Sequence, residues 1–222
     1  EESETMEDDF ETVEVSSYES VIFAGDYAFA NSSLKEVVTS SNAKYGEGVF
    51  FKSTLEKVTI GANSKYGLGC FQSCLSLKEV VMPNEGNVHF GTTCFAYCAS
   101  LEKIDLTKVD EKIESQTFYG CSSLKVAFLD NVKVIGDYAF ADCSTLINVK
   151  MPIVEVIGEG AFSRYDTEAG APTFNSIELP NTLREIKERV LPELNEEFYQ
   201  DSEYKNAIVG RGAEAYDEEY TR

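Results

Sequence analysis

The sequence repeats itself every 21 to 24 residues, and a period of that length restricts the fold more than any other property of the chain. A phenylalanine recurs at Phe29, Phe50, Phe71, Phe95, Phe118, Phe140 and Phe162, at spacings of 21, 21, 24, 23, 22 and 22 residues. A leucine follows six of them, at Leu34, Leu55, Leu77, Leu101, Leu124 and Leu146. The clearest copies are VIGDYAFADCSTLINVKMP, Val134 to Pro152, and YGLGCFQSCLSLKEVVMP, Tyr66 to Pro83. The shared skeleton is a glycine, three residues, an aromatic residue, a small residue near three further on, a leucine, and then apolar residues at alternating positions. One such unit cannot bury its apolar face alone, so neighbours must stack into a continuous core.

Each copy has a legible local structure. Leu77, Val80 and Met82, or Leu101, Ile104 and Leu106, give the alternation of a short strand with one buried side. Pro83, Pro152 and Pro180 follow strands and stop them. Gly25, Gly67, Gly91, Gly136 and Gly158 sit where the chain bends, a place that needs positive φ or close backbone approach. The segment around each phenylalanine forms a turn or a single helical turn, with the phenylalanine and the small residue pointing inward. After Phe162 an insertion from about Arg164 to Phe174 interrupts the pattern. It resumes as NSIELP, Asn175 to Pro180, and fades in EIKERVL, where Leu191 takes the phenylalanine position. The chain therefore divides into an acidic N-terminal cap or tail (1–20), a solenoid of about seven repeats (21–191) and an acidic C-terminal tail or capping segment (192–222).

The segment IGDYAFADCSTLINVKMP resembles the leucine-rich repeat of the BspA-like, Treponema-type family, and the resemblance covers about residues 20–191. It implies a leucine-rich-repeat solenoid with short parallel strands on the concave face and turns or single helical turns opposite. It also implies a bacterial or protozoan surface protein that acts in adhesion and binds proteins or glycans through the solenoid surface. The two short N-terminal copies, the insertion and the acidic ends depart from the family pattern.

Net charge is −20, with −9 in residues 1–20 and −6 in residues 193–222, so the acidity lies mostly at the ends. This argues against a nucleic-acid partner, because a phosphate backbone attracts basic surfaces. No stretch approaches the roughly 20 apolar residues of a membrane-spanning helix, so direct membrane insertion is not expected. A chain starting at Glu1 fits a mature product whose signal peptide has been removed, and hence an extracellular or cell-surface location; a cytoplasmic location is the alternative.

The six cysteines follow the repeat. Cys74, Cys98, Cys121 and Cys143 stand three residues after a phenylalanine, and Cys70 and Cys94 stand just before one, where Ala28, Ala139 and Ala161 stand elsewhere. They read as small buried residues in stacked columns. Disulfides between rungs are the second reading and a metal site the third. No cofactor is expected. His89 is the single histidine and is placed in a loop between repeats. With no phosphate loop, GxSxG or HExxH motif, the chain is not expected to be an enzyme.

A partner would bind on the exposed side of the strands. Lys35-Glu36, Glu56-Lys57, Lys78-Glu79 and Glu102-Lys103 alternate in sign from rung to rung and read as a self-satisfied charge ladder. The next outward column holds Val38, Thr59, Val81, Asp105, Phe128 and Lys150. Val81, Val126, Phe128 and Ile147 are the candidate partner-binding residues, because an exposed apolar patch often marks an interface. Cover by the insertion or the C-terminal tail is the competing explanation. Two function classes follow: an adhesin-like interaction protein, or a scaffold subunit docked in a larger assembly.

Overall fold

The computed structural model of the protein describes residues 12–14, 23–164, 179–187 and 190. Most of the insertion, Leu191, the C-terminal tail and most of the N-terminal cap lie outside the described residues.

The chain winds as a β-solenoid in which each coil contributes to two parallel sheets and one ladder of turns. Sheet I takes the alternating segment after each leucine. Its strands are β1 (Thr12–Glu14), β3 (Glu36–Val38), β5 (Lys57–Thr59) and β7 (Glu79–Val81), then β9 (Lys103–Asp105), β11 (Val126–Phe128) and β13 (Asn148–Lys150). All pairings are parallel, and the middle residues Val37, Val58, Ile104 and Ala127 are buried while their neighbours are not. Because β1 pairs with β3, the sheet extends into the segment assigned to the N-terminal cap.

Sheet II was not evident from the sequence. Its strands are two residues long: β2 (Phe23–Ala24), β4 (Lys44–Tyr45), β6 (Lys65–Tyr66) and β8 (His89–Phe90), then β10 (Lys112–Ile113), β12 (Val134–Ile135), β14 (Val156–Ile157) and β15 (Glu185–Ile186). Two residues are too few to leave an alternation. Each strand points one side chain inward, as Tyr66, Phe90, Ile113, Ile135 and Ile157 do.

The segment around each phenylalanine is a turn; among the described residues none is helical. From Phe29 to Phe140, the residues two before and two after each phenylalanine take φ between 54° and 69°, the left-handed region. This conformation aims N–H groups at the next coil. Gln116, Phe118 and Gly120 donate to the carbonyls of Asp137, Ala139 and Ala141 at 2.8 to 2.9 Å. An isolated helical turn would keep its bonds to itself, whereas these turns join coil to coil and satisfy backbone groups that stacking buries. Inside them the seven phenylalanine rings form one column. Successive centroids lie 5.1 to 5.5 Å apart and adjacent planes are within 10° of parallel.

The repeat's glycine is explained by close approach. A Cβ on Gly136 would lie 2.7 Å from the backbone carbon of Glu114, and one on Gly67 would lie 2.7 Å from the Gly46 carbonyl oxygen. Gly136→Ala must therefore force two coils apart. We expect a loss of about 1–3 kcal/mol, typical of overpacking, read from chemical denaturation; an unchanged midpoint would contradict the close-approach explanation.

Both sheets lapse between the same two coils. β7 is not paired with β9, nor β8 with β10. The preceding loop, Pro83 to Asn87, makes the longest of the phenylalanine spacings, and Gly86 turns it with φ of 75°. Across this break run a single strand bridge, Val88 to Val109, and the His89–Asp110 pair at 3.2 Å.

Candidate interaction face

Sheet I carries the residues that the sequence nominates. Its charge ladder forms in part, within the first three rungs and again past the sheet break, where Glu102 meets Lys125. Lys35 pairs with Glu56 at 3.4 Å, Glu56 with Lys78 at 3.1 Å, Lys57 with Glu79 at 3.1 Å, and Glu102 with Lys125 at 3.0 Å. Lys78 and Lys35 hold the Glu56 carboxyl below its ordinary range. Such exposed pairs contribute roughly 0.2–1 kcal/mol each, so they fix register more than stability.

The column beside the ladder is in register as read. Val38 faces Thr59, Thr59 faces Val81, and Phe128 lies between Asp105 and Lys150. Phe128 is half-buried beneath the Lys103 ammonium, 5.2 Å from the ring centroid, a cation–π contact across strands. Ile147 is 44% exposed. Phe128 and Ile147 line one open cleft of about 620 Å³, together with Pro152, Leu179 and Pro180. Val126, on the same strand as Phe128, faces Asn148 of that cleft's wall. Val81 is not brought to this patch. It lies beyond the sheet break, in a separate cleft of about 490 Å³ with Lys78, Lys103, Asp105 and Lys108. The insertion and the tail, the competing cover for the patch, lie outside the described residues, apart from Arg164.

The cysteine columns appear where the repeat puts them. All six are free and buried. The thiols of Cys74, Cys98, Cys121 and Cys143 donate to the carbonyls of Phe50, Phe71, Phe95 and Phe118 in the preceding coil, at 3.1 to 3.3 Å. Burial raises the Cys74 thiol to about 11 and drives Cys70, Cys94, Cys98 and Cys143 upward as well. A protonated, enclosed thiol is neither nucleophile nor metal ligand. Among the described residues no group of three His, Cys, Asp or Glu side chains could hold a metal ion. His89, expected in a loop, is instead in β8 and paired with Asp110.

The sequence reading missed the other exposed surface, the turn ladder. There Tyr97, Tyr119 and Tyr138 gather around a cleft of about 410 Å³. The available signal was the residue two places either side of each phenylalanine, which is glycine in some coils and large in these.

Parallel strands, an inward phenylalanine column and turns that join coil to coil define a leucine-rich-repeat solenoid. On the outward side of sheet I, ion pairs link successive rungs, and Phe128 and Ile147 share one cleft there. The chain belongs to the BspA-type leucine-rich repeat family, whose model of six copies matches residues 8–89 and 64–190. Among solved structures it is similar to a leucine-rich repeat protein of Treponema pallidum, at 23% identity and a TM-score of 0.56, covering 67% of this chain and 72% of that one. It is also similar to a leucine-rich repeat protein from Bacteroides ovatus, at 26% identity and a TM-score of 0.46, covering 61% of this chain and 40% of that one. A leucine-rich cell surface protein from Faecalibacterium prausnitzii matches at 21% identity and a TM-score of 0.49, covering 79% of this chain and 43% of that one. No curated protein matches the chain.

Proposed function

We propose that this protein is a non-catalytic interaction module, an adhesin-like surface or secreted protein that binds a protein partner through sheet I. The observation that carries this reading is the Phe128–Ile147 patch. There Phe128, Ile147 and Leu179 share a cleft with the polar Asn148 and Lys150, and the Lys103 ammonium is held over the Phe128 ring. Buried aromatic anchors surrounded by polar contacts are the usual centres of protein interfaces. Family membership supports the surface setting, since the BspA-type resemblance implies adhesion. A scaffold subunit is the second reading, favoured by the two acidic ends, which suit docking on a basic assembly.

The test is capture from native extracts on the immobilised full chain, followed by binding of the purified partner to wild type and to Phe128→Asp. We expect the variant to bind at least about tenfold more weakly, a loss of roughly 1.4 kcal/mol or more. Equal binding by both proteins would move the site off sheet I. The partner's identity, host or matrix protein against a companion subunit, separates the adhesin from the scaffold.

A further inference from the structure

The turn ladder carries a second surface of different chemistry. Left-handed φ suits Gly, Asn and Asp, and those residues occupy Asn31, Gly48, Gly69, Gly120 and Asp142 in the ladder. The remaining left-handed ladder positions through Phe140's coil are Tyr27, Lys52, Ser73, Thr93, Tyr97, Gln116 and Tyr138. Four of these seven, Thr93, Tyr97, Gln116 and Tyr138, line one cleft. A β-branched residue at positive φ is a genuine outlier, with a cost on the order of 1–3 kcal/mol. Glycine fills the equivalent positions at Gly48, Gly69 and Gly160 without that cost. Positive φ does not call for these side chains, and their convergence on one cleft points to a ligand.

The lining states what kind. In a chain of net charge −20, the cleft has no charged side chain on its walls. An ionic ligand would lose its hydration there without gaining a partner. Ala96 is the one aliphatic residue on its walls. The cleft offers instead phenol rings, the amides of Gln72 and Gln116, and the Thr93 hydroxyl. Amides and hydroxyls both donate and accept, and so match a ligand hydroxyl, which does the same.

The rings are set as platforms. Tyr97 is 47% exposed and lies along the surface over the next coil, where a Cβ on Gly120 would be 2.7 Å from its Cδ1. Tyr119 meets it edge-on, with centroids 5.3 Å apart and planes at 75°. Tyr138 is laid likewise over Gly160, and its hydroxyl donates to Glu159 at 2.5 Å. Rings fixed in this way lose little freedom on binding. A volume of about 410 Å³ falls within the usual range for small-ligand clefts.

We propose that this cleft binds a neutral oligosaccharide, with the C–H face of a sugar ring on Tyr97 and its hydroxyls on Gln72, Thr93 and Gln116. The site is separate from the sheet I patch, and neither depends on the other. The test is calorimetric titration of the full chain with cellopentaose, maltopentaose, mannopentaose and chitopentaose, and with a glucuronic-acid oligomer as the charged comparison. Wild type is expected to bind at least one neutral sugar more tightly than the acidic one. Tyr97→Ala should weaken it about tenfold or more with an unchanged melting temperature. Thr93→Gly should weaken it too while melting no lower than wild type, because the backbone is relieved as the contact is lost. Phe128→Asp should bind the sugar as wild type does. The proposal is overturned if no neutral sugar binds, if the acidic oligomer binds best, or if folded Tyr97→Ala binds like wild type.

Discussion

Phe140→Ala is expected to destabilise the solenoid by about 3–5 kcal/mol, the range for truncating a fully buried aromatic side chain. Phe140 is 1% exposed and stacks on Phe118 at 5.2 Å and on Phe162 at 5.5 Å. Its loss opens a cavity within the column and removes two ring contacts, each worth about 0.5–1.5 kcal/mol beyond burial. Stability in a solenoid is a sum of repeat and neighbour-interface terms, and this ring belongs to two interfaces. For a chain of this size the melting temperature should fall by about 10 °C. Phe29 is only half-buried in the first described coil, so Phe29→Ala should cost clearly less. A loss below about 1 kcal/mol at Phe140, against the cost typical of buried aromatic truncation, would show that the column does not hold the coils together.

Alkali should unfold this protein more readily than its surface chemistry suggests. Burial raises the Cys74 thiol from 9.0 to about 11, and it drives Cys70, Cys94, Cys98 and Cys143 in the same direction. Burial also raises the phenols of Tyr45 and Tyr66. The folded state therefore keeps protons that the unfolded chain releases. The stability linked to these groups is fully present below the unfolded thiol value and is lost as pH rises through the folded one. For Cys74 alone the loss between 9.0 and about 11 is about 3 kcal/mol. Melting temperature should hold level up to about pH 8.5 and fall steeply between about pH 9 and 11. Over the level range a thiol reagent should find none of the six cysteines until denaturant is added, and then all six. A melting curve indifferent to pH as far as 10.5 or so, despite the linkage, would mean the thiols are not enclosed.

Residues that face inward were the most legible in the sequence. Phe140, Cys143 and Leu146 recur at fixed offsets because the inside of a stack tolerates little variation in volume. The alternating charges of Lys35, Glu56 and Lys78 were readable for a related reason, since parallel register sets like positions side by side. Sheet II was hidden because two-residue strands carry no period. The left-handed turns were hidden because Tyr138 and Gln116 are poor markers of positive φ, and only the coil-to-coil bonds reveal them. Glu114 stands where other coils have glycine, so the glycine pattern alone does not find that bend. The candidate patch was readable as a column of side chains. The gap that separates Val81 from Phe128 was not, because a spacing of 24 residues looks like one more irregular repeat.

That gap gives the molecule a preferred direction of bending. Elsewhere among the described residues, from β1 to β14, each coil is held to the next along three edges, and a rod supported in that way resists flexure from every side. Between the coil that runs β7, β8, Phe95 and the coil that runs β9, β10, Phe118 both strand edges lapse. The turn bonds continue there, with Phe95 donating to Thr117 at 2.8 Å, and the two rings stay stacked at 5.4 Å. Load applied along the axis therefore collects at this boundary. Bending at this boundary is expected to part β7 from β9 while the phenylalanine column keeps its length.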